Sequence, residues 1–143
     1  MLFEAADAQA HFGFSTAEPA IAQGLWPDFI VTDGTRNSML KKPTTFSLAM
    51  QLARYEALGI PFEEVLRRCT SAPAAHMGLQ DGQGAIVVGG KADLAVFRRH
   101  GAEVLFGDRP NLDKRQETRK GSVLYEPVMT VKSGMVVYRN ILL

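Results

Sequence analysis

A carboxylate at the end of a short β-prone run is where this sequence first points to chemistry. In Pro27-Asp28-Phe29-Ile30-Val31-Thr32-Asp33-Gly34, the run Phe29 to Thr32 is built from β-branched and aromatic residues, which predicts a short buried strand. Asp33 falls where that strand ends, and Gly34 releases the chain into a polar loop. In open or barrel-shaped parallel sheets, ligands bind at the carboxyl ends of the strands. An aspartate there ligates a metal ion or takes a proton; the competing reading is an aspartate that only starts a turn. A second polar group, Asp7, Gln9 and His11, lies in the loop 7–14. A third, Thr35, Arg36 and Asn37, lies in the loop 34–43. There Arg36 either pairs with a substrate carboxylate in bidentate fashion or stays an exposed loop arginine. His76, in a short helix, and His100, beside Gly101 in a turn, read as structural or exposed.

The elements that must position these residues follow from the periodicity. Leu2 to Ala6 reads as a short strand. Ser15 or Thr16 caps a helix with Glu18 in its first turn, where Pro19 is tolerated. Ala17, Ala20 and Ile21 form its apolar side, and Gly24 ends it. Strand, helix and strand within 33 residues is the size of a βαβ unit, whose strands run parallel through a right-handed crossover. A second helix runs from Thr44 or Thr45 to about Leu58, with a stripe of Phe46, Met50, Ala53 and Ala57 widened by Leu48 and Leu52. Gly59 closes it, and Pro61 opens the next helix, where Phe62, Val65, Leu66 and Cys69 recur at helical spacing. Glu63 and Glu64 near its start and Arg67 and Arg68 near its end suit the helix dipole. A short helix, Pro73 to Met77, stops at Gly78. After Gln80 the texture turns β-rich. Ile86 with Val88 forms one run, and Leu94 to Phe97 forms another. Val128 to Lys132 and Met135 to Tyr138 flank Ser133-Gly134, a two-residue hairpin signal.

Composition narrows the classes of function. The 143 residues are 46% hydrophobic and 22% charged, in the range of a globular domain. A net charge of +1 gives no field favouring nucleic acid or an anionic membrane. The charged segment Asp108 to Lys120 mixes both signs without an aromatic residue, and so reads as a solvated loop. The single Cys69 excludes an internal disulfide framework and fits a reducing compartment. No apolar run reaches the roughly 18–20 residues that span a bilayer. Met1-Leu2-Phe3-Glu4 lacks the basic and apolar regions of a signal peptide, so the expected location is the cytoplasm.

Three stretches carry a family resemblance. Residues 70–78, Thr-Ser-Ala-Pro-Ala-Ala-His-Met-Gly, form a Thr-x-x-Pro-Ala turn and short helix. Residues 84–97, Gly-Ala-Ile-Val-Val-Gly-Gly-Lys-Ala-Asp-Leu-Ala-Val-Phe, read as a return into a small β domain. Residues 128–138 form a terminal hairpin with an apolar-x-Gly-x-Val-Val ending. In this order and spacing they resemble the amidohydrolase superfamily, with dihydroorotase-like and deacetylase-type metallohydrolases as the nearest kinds. The resemblance covers most of the chain from Ala17 onward. It implies an α/β fold: the carboxy-terminal part of a (β/α)8 barrel, its last two strands and helices, in residues 1–80, followed by a small β-sandwich segment in 81–143. Leu2–Ala6 would be the seventh barrel strand, Phe29–Asp33 the eighth, and 44–58 the eighth helix. In the family the aspartate ending strand eight binds a catalytic divalent metal and shuttles a proton, and Asp33 matches it.

Two departures stand beside the likeness. Related deacetylases often carry His-Gly just after strand seven; aligning Phe12 and Phe14 with their aromatic pair puts Asp7-Ala8 there. His11, four residues later, is either a substituted substrate contact or an exposed loop histidine. The chain also has no His-x-His, and it lacks the segments that carry the family's other metal ligands. It therefore resembles the carboxy-terminal third of a longer enzyme or a shortened gene product.

The activity implied is metal-assisted hydrolysis of a C–N bond in a small-molecule substrate, either a cyclic amide or an N-acyl amino acid or similar amide. Zinc or a similar ion would lower the pKa of bound water to about 7, with most of its ligands outside this chain. The implied site has Asp33 as catalytic and metal-binding residue, with Asp7 and His11 binding substrate. No nucleic-acid or membrane partner is expected. The alternative is a catalytically inactive, truncated scaffold. It would self-associate as a homo-oligomer or pair with a partner chain, because two of eight barrel strands leave open edges.

Overall fold

Residues 1–7, 11–36, 47–108 and 115–142 are described by a computed structural model. Ala8, Gln9, Asn37, Thr44, Thr45 and Phe46, named above, lie outside the described residues. The first half holds a parallel strand pair, β1 (Glu4–Ala5) and β2 (Phe29–Ile30), with Glu4 opposite Phe29 and Ala5 opposite Ile30. Both strands are shorter than predicted, but hydrogen bonding continues past the ladder. Asp28 N donates to Phe3 O at 2.9 Å, Val31 N to Ala5 O at 3.0 Å, and Asp7 N to Thr32 O at 3.4 Å.

Helix α1 (Phe14–Ala22) makes the crossover between the two strands. It begins before the predicted cap at Ser15 or Thr16, because Phe14 N–H is taken by a distant carboxylate, that of Asp108. Pro19 consequently falls in the second turn, where it has no N–H to donate to the carbonyl of exposed Ser15. Gly24, at φ +78°, ends the helix as predicted.

Helix α2 (Leu48–Ala57) is capped by Ser47, whose hydroxyl accepts Met50 N–H at 3.3 Å. Its buried residues are Ala49, Gln51, Leu52, Ala53, Arg54 and Tyr55, whereas Ala57 and Leu48 are exposed. The predicted stripe is thus rotated, since the helix packs against a sheet on one side and uses a buried arginine on another. Helix α3 (Phe62–Cys69) carries its acidic and basic ends as predicted. Buried Arg68 reaches back to the start of β2, donating from Nε to Pro27 O at 2.7 Å with its guanidinium 5.3 Å from the Trp26 ring centre. Glu64 pairs with both Arg67 and Arg68. Helix α4 (Ser71–His76) sets the His76 ring 5.1 Å from that of Phe29.

The second half is a three-stranded antiparallel sheet in the order β3 (Leu94–Gly107), β4 (Thr118–Lys132), β5 (Met135–Arg139), where a small β-sandwich segment was expected. Ile86 and Val88 are not strand residues. Positive φ at Asp81, Gly82, Gly84 and Gly89 folds that stretch into turns, closed by Lys91 N donating to Asp81 O at 2.8 Å, and both apolar side chains are exposed. The predicted run Leu94–Phe97 extends to fourteen residues because β4 pairs along most of it, with a break in the register between Gly101 and Val104. His100 is therefore a strand residue rather than a turn residue, its Nε2 lying 2.6 Å from Glu126. Pro127, in the central strand, sits at a register shift opposite Phe97, where its missing N–H is tolerated. Ser133 and Gly134, at φ +50° and +82°, make the predicted two-residue hairpin turn. Within the predicted loop Asp108 to Lys120, residues 118–120 belong to β4 and Asp108 is buried.

One apolar cluster runs through both halves. Phe12, Phe14, Ile21, Ile30, Leu52, Tyr55, Ile60 and Val65 pack together with Phe106 and Tyr125 from the sheet. Tyr125 stacks on Phe62 at 4.8 Å and donates its hydroxyl to Glu56 at 2.7 Å, which fixes α2 against the sheet. Among the described residues no helix is long and apolar enough to cross a membrane.

Candidate active site

Asp33 follows β2 with φ +44°, a left-handed conformation that aspartate tolerates better than β-branched residues do. Gly34 N–H donates to Thr32 Oγ1 at 3.3 Å, so the chain turns sharply at the strand end. The Asp33 side chain is 44% exposed and that of His11 is 58% exposed. His11 Nδ1 lies 3.0 Å from Asp33 Oδ2. With the carboxylate ionised, Nδ1 is the donor and Nε2 is left for another partner.

His11 is held there by its neighbours. Phe12 and Phe14 are both buried, with ring centres 5.3 Å apart in an edge-to-face contact, and Phe12 also meets Tyr55 at 5.9 Å. The structure thus brings together two of the three residues expected at the site.

Asp7 is placed differently. It is 3% exposed, and its carboxylate accepts from Arg54 Nη1 at 2.7 Å. The Arg54 side chain is itself 1% exposed, also donates to Gln51 Oε1, and lies 3.7 Å over the centre of the Phe12 ring. A charge removed from water this fully needs a partner of opposite sign, and Asp7 supplies it. Asp7, Arg54 and Phe12 therefore form a buried support under the loop that carries His11.

Sequence reasoning passed over Arg54 and Gln51. The available signal was two polar residues three apart among Leu52, Ala53 and Tyr55, but such long polar side chains on a helix usually reach solvent.

A cavity of about 380 Å³ opens between β1 and α1, with Ala5, Phe12, Ile21 and Tyr55 on its apolar side and His11 and Thr16 among its polar lining. Asp33 and Asp7 do not line it. Among the described residues, the Tyr55 hydroxyl and Arg54 Nε are buried without a hydrogen-bond partner. Burial pushes the Tyr55 phenol up to about 12.

Among the described residues, no three His, Cys, Asp or Glu side chains converge on a point that would hold a metal ion. A divalent ion such as zinc takes four donors, whereas His11 and Asp33 bond each other. The described residues alone do not make a complete metal site. Chemically, the arrangement offers a half-exposed carboxylate and an imidazole in contact at a strand end, able to hold and pass a proton.

Comparison with known proteins adds an independent line. A family described as "Amidohydrolase family" matches residues 39–138. A deacetylase from Agrobacterium fabrum is 32% identical over 118 residues, covering 82% of this chain and 27% of that protein. A deacetylase from Enterococcus faecalis is 25% identical over 136 residues, covering 95% of this chain and 35% of its own length. Among solved structures, an adenine deaminase superposes with a TM-score of 0.86 at 25% identity over 98% of this chain and 36% of its own. A dihydroorotase superposes with a TM-score of 0.76 at 28% identity over 91% and 33%. The chain spans about a third of the length of the proteins it matches.

Proposed function

The chain belongs to the amidohydrolase family, and from that membership we propose that it is the carboxy-terminal portion of a metal-dependent hydrolase that cleaves a C–N bond in a small amide. The observation that carries this reading is the His11–Asp33 contact at the end of a parallel strand pair, where a barrel binds its ligand. In this proposal β1 and β2 are the last two strands of a (β/α)8 barrel, and the three-stranded sheet belongs to the β domain beside it. The coverage of about a third of each relative supports it.

Asp33 is proposed as a metal donor and as the group that accepts the water proton and returns it to the leaving nitrogen. The remaining donors, to zinc or a similar ion, are proposed to come from sequence outside the described residues. His11, half exposed beside Asp33, orients that carboxylate and offers Nε2 to the substrate amide. Asp7 serves the substrate from beneath by fixing the strand end through Arg54. Cyclic amides and N-acyl amino acids or similar small amides are the proposed substrate classes, on the family resemblance. A panel of both, assayed for amine or carboxylate release with and without a chelator, tests the reading. Chelator-sensitive hydrolysis supports it; chelator-resistant hydrolysis, or none from the enzyme that contains these residues, contradicts it.

One observation favours a second reading. Among the described residues the outer edges of β1 and β2 have no strand partner, and Phe3 and Leu25, which line the cavity, are half exposed or more. An open edge with apolar neighbours recruits another strand, so the chain is proposed, as the alternative, to be an inactive scaffold that pairs with itself or a partner. Sedimentation equilibrium separates the two readings: a concentration-dependent dimer favours the scaffold, and a monomer over the micromolar range counts against it.

A further inference from the structure

The start of α1 is capped from the other end of the chain. Its N-cap residue, Gly13, makes no side-chain cap hydrogen bond. Instead Asp108, 94 residues on and 1% exposed, accepts Phe14 N–H at 3.1 Å through Oδ2 and Glu117 N–H at 2.8 Å through Oδ1. Its own N–H donates to Glu117 O at 3.0 Å, and its carbonyl accepts from Gln116 Nε2 at 2.9 Å. A second grip lies beside it. Arg119 of β4 donates to both carboxylate oxygens of Glu18, at 2.6 and 2.9 Å, and its guanidinium lies 4.9 Å from the Phe14 ring centre.

A serine or asparagine at position 13 would cap this helix locally without burying a charge. A buried carboxylate is costly unless fully bonded, and here both oxygens are engaged. What the long-range arrangement adds is location: the start of α1 is set by the β3–β4 hairpin and not by its own sequence. Three residues before Phe14 stands His11, joined to it through the edge-to-face pair of Phe12 and Phe14. We propose that Asp108 is a positioning residue: through Phe14 N–H it sets the loop that holds His11 at bonding distance from Asp33. This rests on reading Asp33 as the reacting carboxylate, but the contact itself is measured without turnover.

The test uses the whole chain, labelled with ¹⁵N, at one fixed pH. Asp33→Asn gives the His11 ring-nitrogen shift for an altered contact. Asp108→Ala should raise amide exchange at Phe14 by about tenfold or more, as expected for a lost hydrogen bond to a charge. It should also move the His11 ring signal toward its Asp33→Asn position. Asp108→Asn, which keeps one accepting oxygen, should do both to a lesser degree, and it carries the test by the same criteria if the alanine variant does not fold. Ser47→Ala, which uncaps α2, should leave the His11 signal in place. A His11 signal unmoved in a folded Asp108 variant overturns the proposal, as does one moved equally by Ser47→Ala. If instead Asp33→Asn leaves hydrolysis intact, the proposed function fails while the His11 signal still decides the role of Asp108.

Discussion

Replacing Arg54 by methionine tests whether the support beneath the site is a buried ion pair. The guanidinium is 1% exposed and the Asp7 side chain 4%, so bulk water screens the pair little. Removing one partner of such a pair costs about 3–5 kcal/mol, because the other charge stays buried. The cation–π contact over Phe12 adds to the loss, while methionine keeps much of the apolar stem. A domain's stability is only about 5–15 kcal/mol. With a urea slope of about 2 kcal/mol/M, the unfolding midpoint followed by far-ultraviolet circular dichroism should fall by about 2 M. The double variant Asp7→Leu/Arg54→Met should regain much of that loss, since two apolar residues leave no buried charge. A fall of less than about 0.5 M in the single variant, as for an exposed pair, would show that Arg54 and Asp7 are not a buried ion pair. So would a double variant less stable than Arg54→Met alone.

The core around the sheet gives a second prediction. A Cβ on Gly121 would lie 2.5 Å from Phe106 Cε2, and that ring is fully buried, so Gly121→Ala should cost about 1–3 kcal/mol in urea unfolding. Burial pushes the Cys69 thiol up to about 12, so at pH 8 its reaction with a disulfide reagent should be at least about a hundredfold slower than in urea-unfolded chain. Glu18 is held below its ordinary value of 4.5, chiefly by its hydrogen bonds to Arg119. A depressed folded-state value contributes stability above the unfolded value and loses it as the pH falls through the folded one. The midpoint difference between wild type and Glu18→Gln should therefore be constant above about pH 5.5 and shrink below about pH 4.5.

What the sequence disclosed and what it hid divide along the range of the interactions. Gly24 and the Ser133-Gly134 turn were legible because backbone geometry at a turn is a local matter. So were the charged ends of α3, which depend on the helix's own dipole. The parallel pairing of β1 with β2 followed from the size of the strand–helix–strand unit. The start of α1 was not legible, because Asp108 caps it across 94 residues and no local pattern announces that. The length of β3 was hidden for a similar reason: the apolar run ends at Phe97 and His100 beside Gly101 read as a turn residue, and only pairing with β4 makes that stretch strand. Ile86 and Val88 misled in the other direction, since alternation suggested a strand while the flanking glycines turned the backbone. At the site, Asp33 and His11 were visible as polar residues near strand ends. The partner of Asp7 was not, because Arg54 enters from a helix whose buried face depends on what packs against it.

In the proposed function the Asp33 carboxylate does the proton transfer in C–N bond hydrolysis. Turnover of a responsive amide by the enzyme containing these residues, compared between wild type and Asp33→Asn with the fold checked by circular dichroism, tests it most directly. The expected loss is about a hundredfold or more, the scale of a missing general acid–base group, with the spectrum retained. Wild-type turnover in a folded Asp33→Asn variant would contradict it.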